Sequence, residues 1–114
     1  MSDIKSMDDS GAPREISPRE KAMYKEEYRH GAELFQKALQ QYSKSDDMFQ
    51  KGEFKDVMDN MMQVLNETAR ALKQSGLKEQ NKKIAEDYAA YQDAPTPASQ
   101  KQLAKDLEQA KKTV

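Results

Sequence analysis

Few side chains in this sequence have a type and spacing that could do chemistry, and those few set narrow limits. His30 is the only histidine, and there is no cysteine. Disulfides, thiolate zinc sites and cysteine nucleophiles are excluded, and any metal site would rest mainly on carboxylates. The acids nearest His30 are Glu26, Glu27 and Glu33, at the spacings of an ordinary helix surface. As a general base His30 has no nearby nucleophile to activate, so a solvated histidine is expected. Asp8–Asp9 and Asp46–Asp47 are paired carboxylates. General acid–base chemistry needs two carboxyls of divergent pKa converging across a pocket. Neighbours along a helix instead point ~100° apart, so these pairs are expected to bend the chain and to solvate a tail. The longer alternation of acids that a calcium loop requires is missing. The residue types therefore give no catalytic group, no cofactor and no metal ligand.

The apolar side chains are more informative. Between Phe54 and Leu72, at 100° per residue, Phe54, Met61, Leu65 and Leu72 centre one broad face. Val57 and Val64 widen it on one side, and Met58, Met62 and Ala69 on the other. A helix lying against one neighbour needs an arc of only ~100°. This arc is roughly 180° on the same construction, which implies two neighbours, or one neighbour and a place for something else to bind. Methionine fills irregular cores and also lines surfaces that accept varied helices, so Met58 and Met62 are candidates for either role. Tyr24 with Tyr28, and Tyr88 with Tyr91, form two one-turn pairs. Tyrosine suits half-buried seams because its hydroxyl can reach water. If the first and third helices lie together, these four rings could meet. Met23, Leu34 and Met48 fall on a second line of the first helix, to be covered by the fourth helix or left open as an interface.

Helices are needed to place these groups. Residues 1–16 carry Gly11, Pro13 and scattered charges, with too little apolar surface to offset the entropy of ordering. A disordered tail is expected there. Ser17-Pro18-Arg19-Glu20 is a helix start: a capping serine, a proline at the first position and a glutamate returning a bond. Tyr24, Tyr28, Gly31, Phe35, Leu39 and Tyr42 then share one stripe. The same phase puts Asp46 on the buried side, so the first helix is expected over 18–44, bent or broken at 43–47, with an apolar turn at Met48 and Phe49 continuing to 51. Gly52 predicts a tight turn. The spacing predicts further helices over 53–75, ended by Gly76-Leu77, over 78–92 with Ile84, Tyr88 and Tyr91 on a stripe, and over 98–112. The last follows Thr96-Pro97 and has Leu103, Leu107, Ala110 and Val114 at seam spacing.

The run Met48–Val57 resembles the helical hairpin of a tetratricopeptide repeat. That repeat places a glycine at the turn, an aromatic two residues on, and apolar positions at three-, four- and three-residue steps. Gly52, Phe54, Val57, Met61 and Val64 follow that spacing, and Ser45 stands where a small residue is usual. Lys44 and Ala69 depart from it, where leucine and proline are common, and no second copy is present. The resemblance implies peptide or protein binding rather than catalysis.

Composition sets the outer bounds. The chain has 114 residues, 34% of them charged and 36% apolar, with a net charge of −1. One domain with a thin core fits that length and balance. Near-neutral charge gives no reason to bind nucleic acid or an anionic membrane. Lys101, Lys105, Lys111 and Lys112 give the last helix a local +2 against Asp106 and Glu108, too little for a nucleic-acid footprint. No leader or membrane-spanning run is visible, so a soluble cytoplasmic protein is expected. The expected fold is all-α, a small bundle of three or four helices built from antiparallel hairpins. The expected function is a non-enzymatic interaction module, an adaptor or chaperone-like protein that takes a partner helix or peptide against Met58, Met62 and neighbouring apolar groups. Self-association as a homodimer is the alternative, and a small enzyme the remote third.

Overall fold

The computed structural model describes residues 16–114. Four helices, α1 (Pro18–Lys44), α2 (Met48–Leu72), α3 (Ser75–Asp93) and α4 (Pro97–Thr113), make an all-α bundle with no strand among the described residues. The tail expected at 1–16 lies outside the described residues except for Ile16, which packs against the core instead of belonging to a loose tail.

α1 starts as the sequence indicates. Ser17 Oγ accepts from Glu20 N at 3.1 Å, and Glu20 Oε1 accepts from Ser17 N at 3.0 Å. This reciprocal cap satisfies two amide groups that a helix N-terminus otherwise leaves unpaired. The helix ends at Lys44, and residues 45–47 make the break. Asp47 then caps α2, its Oδ1 accepting from Phe49 N at 2.9 Å. The turn expected at Gly52 is therefore displaced five residues upstream. A capping aspartate directly before Met48 outweighs a single glycine, which costs a helix only about 1 kcal/mol. Met48 consequently opens α2 and does not share a face of α1 with Met23 and Leu34.

Gly52 sits inside α2, and a Cβ added there would meet nothing within 4 Å. Gly52→Ala should stabilise the protein by about 0.8–1.0 kcal/mol, the helix-propensity difference alone. A urea midpoint that fails to rise would show that this glycine has a role beyond filling a turn of helix.

The other end of α2 also differs from the expected boundary. Its left-handed terminal residue is Lys73, at φ 56°, with its N–H bonded to Ala69 O at 3.1 Å. Gly76, expected to end this helix, lies in the first turn of α3. α2 thus stops three residues early and α3 begins three early. Thr96 and Ser99 cap α4 as reciprocally as Ser17 and Glu20 cap α1.

The helices pack as a closed ring, α1 on α2, α2 on α3, α3 on α4 and α4 on α1. Short connections make ring neighbours antiparallel and leave α1 and α3 pointing the same way. The broad arc of α2 meets two neighbours. Its Val64 flank faces α1, where a Cβ on Gly31 would lie 3.3 Å from Val64 Cγ1. Its Asp59–Asn66 flank reaches α3 through Tyr88 and Asn81. Gly31 thereby leaves room on α1 for the Val64 and Leu65 side chains of α2. Phe35, Leu39, Met58, Leu65, Leu77, Ile84, Leu103 and Leu107 fill the middle.

Candidate interaction surface

The residues expected to bind a partner divide into an inner and an outer set. Met58 is 1% exposed and belongs to the core, so no groove opens at that side chain. Met61 and Met62 are half-buried and pack against the same core. Burial follows from the ring: α3 occupies the flank of α2 that the sequence left open to a ligand.

Of the four tyrosines, Tyr28, Tyr88 and Tyr91 are buried and Tyr24 is half-buried. They do not meet as one cluster. Because α1 and α3 run parallel, their side chains pair rung by rung across the bundle. Tyr28 Oη donates to Asn81 Oδ1 at 2.9 Å, Phe35 sets its ring edge-on to Tyr88 at 5.0 Å, and Tyr42 does the same to Tyr91 at 6.0 Å. The first rung continues into α2, as Asn81 Nδ2 donates to Asn66 Oδ1. The second does too, as Tyr88 Oη donates to Asp59 Oδ1.

Burial pushes the Tyr28 hydroxyl far above its ordinary pKa. Burial does the same to Tyr88, helped by its bond to the Asp59 carboxylate. Partial burial would raise Asp59, but the bonds from Tyr88 and Lys55 outweigh it and hold the carboxyl below its usual value. These hydroxyls stay protonated and act as donors across neutral pH, so the rungs are structural polar contacts.

The outer set lies at the α1–α2 end. Met48 is 84% exposed and the adjacent Phe49 87% exposed. At the opposite end of α1, Met23 is 65% exposed, while Leu34 between them is half-buried. Met48 and Phe49 stand on a braced tip. Ser45 Oγ accepts from Asp47 N at 3.2 Å and donates to Gln50 Oε1 at 3.2 Å. Lys51 Nζ donates to Tyr42 O at 3.0 Å and lies 4.3 Å over the Tyr42 ring. Tyr42 is itself locked to Tyr91, so the base of the tip is tied to α3.

Phe49, expected only as part of an apolar turn, was not among the residues expected to bind a partner, although a signal for that was present. On the phase that aligns Met58 with Leu65, Phe49 falls roughly 170° away, on the outer face. Glu53 and Asp56 share that face, one and two turns further on. Neither makes an ion pair among the described residues.

A second feature was illegible in one dimension. Arg70, Lys73, Lys78 and Lys82 line an open cleft of about 870 Å³ beside the α2–α3 turn. The sequence placed its basic excess on α4 alone.

Neither a family model, nor a curated protein, nor a solved structure matches this chain.

The site is therefore read from its own groups. Among the described residues no cluster of three or more His, Cys, Asp or Glu side chains could hold a metal. His30 lies on the exposed face of α1. No helix among the described residues is long and apolar enough to cross a membrane.

Proposed function

We propose that this chain is a non-enzymatic, cytoplasmic protein-interaction module of adaptor or chaperone-like type, and that it binds through the α1–α2 tip. The observation that carries this reading is the adjacent pair Met48 and Phe49, both more than four-fifths exposed on a braced turn. Isolated apolar groups on a surface need no explanation. Two large adjacent ones, carried on a backbone already fixed by the turn's hydrogen bonds, lower the ordering cost of association. Exposed aromatic and methionine side chains are also the types enriched at interface centres. Glu53 and Asp56 on the same face give the partner a chemistry: an amphipathic helix or peptide with basic residues flanking its apolar face. The expected contact at Met58 and Met62 is thus moved outward to Met48 and Phe49.

The test uses a synthetic amphipathic Leu/Lys helix as probe and an amphipathic Leu/Glu helix as control. Amide shifts in an NMR titration should concentrate on residues 46–57 with the basic probe. Phe49→Asp should weaken binding at least tenfold while changing stability by no more than about 0.5 kcal/mol, as exposed substitutions do. Shifts spread over the bundle, or equal binding of both peptides, would defeat the reading. Self-association has less support, because α4 already buries Leu103, Leu107 and Ala110 completely within one copy. A sedimentation coefficient that rises with concentration, and returns to the monomer value in Phe49→Asp, would assign the tip to a second copy instead.

A further inference from the structure

At the seam between α3 and α4 each helix buries a carboxylate oxygen, one from Asp87 and one from Asp106. Asp106 is 2% exposed. Its Oδ1 accepts from Gln102 Nε2 at 3.0 Å and lies 3.8 Å from Lys83 Nζ. Its Oδ2 is buried without a donor, and so is Oδ2 of Asp87 on α3. Lys83 reaches Asp106 from α3, and Asp87 stands one turn further along that helix, on the face that meets Asp106. An ionised carboxylate only accepts hydrogen bonds, whereas a protonated one can donate. Two carboxyl groups that each bury an unpartnered acceptor oxygen at one seam are satisfied together by one proton held between them.

We propose that Asp87 and Asp106 share a single proton in mildly acidic solution, forming a latch across the α3–α4 seam that loosens when the proton leaves near neutrality. The surrounding charges favour retention of the proton. Burial, then the hydrogen bond and negative charge of Asp87, push Asp106 up to about 6, against weaker opposing effects of Gln102 and Lys83. From α3 the facing ionisable groups are Asp87 and Lys83, and one ammonium cannot neutralise two carboxylates. From α4 the near neighbour is the uncharged Gln102. On the α1 side, Glu33 and Glu108 are engaged with Lys111 on the opposite flank of α4, and α2 sends no ion pair to this seam among the described residues.

The sign of the pH effect follows. An acid whose folded pKa lies above its ordinary value stabilises the fold fully below that ordinary value, and the benefit is lost as pH rises through the folded value. The ordinary value is 3.8 and the folded one about 6, so the folded-to-unfolded ratio contributed by this pair should fall about tenfold between pH 5 and pH 7.5.

Two measurements test this on the full chain. With the aspartate carboxyl carbons labelled, the Asp106 resonance should titrate with a midpoint near 6, and Asp87→Asn should move that midpoint down, because Lys83 is then the nearest charge. In urea unfolding, the wild type should lose the tenfold factor between pH 5 and pH 7.5 relative to Asp106→Asn. A wild-type midpoint near 3.8 would overturn the proposal. So would a midpoint that millimolar magnesium or calcium displaces downward, since the pair would then hold a cation rather than a proton. If Asp106→Asn does not fold, the titrations of the wild type and Asp87→Asn decide the matter alone.

Discussion

Met58→Asp should abolish the cooperative fold, leaving little helical circular dichroism at 25 °C and no urea transition. Met58 is 1% exposed, between flanks of α2 that lie on α1 and α3. Truncating a buried side chain of this size costs about 2–5 kcal/mol. An unpaired carboxylate in the same space adds a desolvation penalty of at least a few kcal/mol more. The sum rivals the whole stability of a small domain, about 5–15 kcal/mol. The contrast with Phe49→Asp makes the experiment diagnostic, because an aspartate placed roughly 180° round the helix should be nearly silent in stability. A Met58→Asp protein with intact dichroism and a melting temperature close to wild type would mean that this side chain faces an opening, and that the closed ring is wrong at α2.

The second large effect is expected from Phe35→Ala. Phe35 is fully buried and places its ring at 78° to Tyr88. Removing a buried phenylalanine costs about 3–5 kcal/mol, including about 0.5–1.5 kcal/mol for an edge-to-face aromatic pair. For a chain of this size that is a fall of about 15–30 °C in melting temperature. The urea midpoint should drop by at least about 1 M, since the slope for small proteins is about 1–3 kcal/mol per molar urea. A loss below about 1 kcal/mol would show that Phe35 does not hold α1 against α3. Tyr88→Leu in the Phe35→Ala background tests the pairing directly. The two losses should sum to more than the loss in the double variant, because each removes the same contact.

The extent to which the fold could be read from the sequence depended on how local each determinant was. Ser17-Pro18-Arg19-Glu20 carries its own cap, and the structure forms it with both bonds in place. The width of the α2 arc is likewise local; it allowed two neighbours or one neighbour and an opening, and the fold supplies two. The α1–α2 break depended on a competition between Asp47 as a cap and Gly52 as a breaker, and nothing in the spacing ranked them. Lys73 was harder still, because a left-handed conformation in a non-glycine residue follows from how the next helix docks.

The site was the least legible part. Whether Met58 is core or groove depends on what stands opposite it, and α3 does. Asn81 drew no attention in the sequence, yet it links Tyr28 to Asn66. Asp87 and Asp106 sit on different helices, so no local pattern announces their meeting. One cross-helix signal was nevertheless available. Tyr28 and Phe35 are one heptad apart, and so are Asn81 and Tyr88, which are their partners.

Those paired heptads make the bundle chemically keyed. A hydrophobic seam alone tolerates sliding, because a leucine moved by two turns still lies against a leucine. Sliding α3 two turns along α1 so that Phe35 faced Asn81 would strand the amide without a donor and leave Tyr28 facing Gln74. An unsatisfied buried polar group costs about 1–3 kcal/mol. A single asparagine thus penalises every neighbouring misalignment of two helices that no loop joins directly, and it gives a chain with a thin core one preferred way to close.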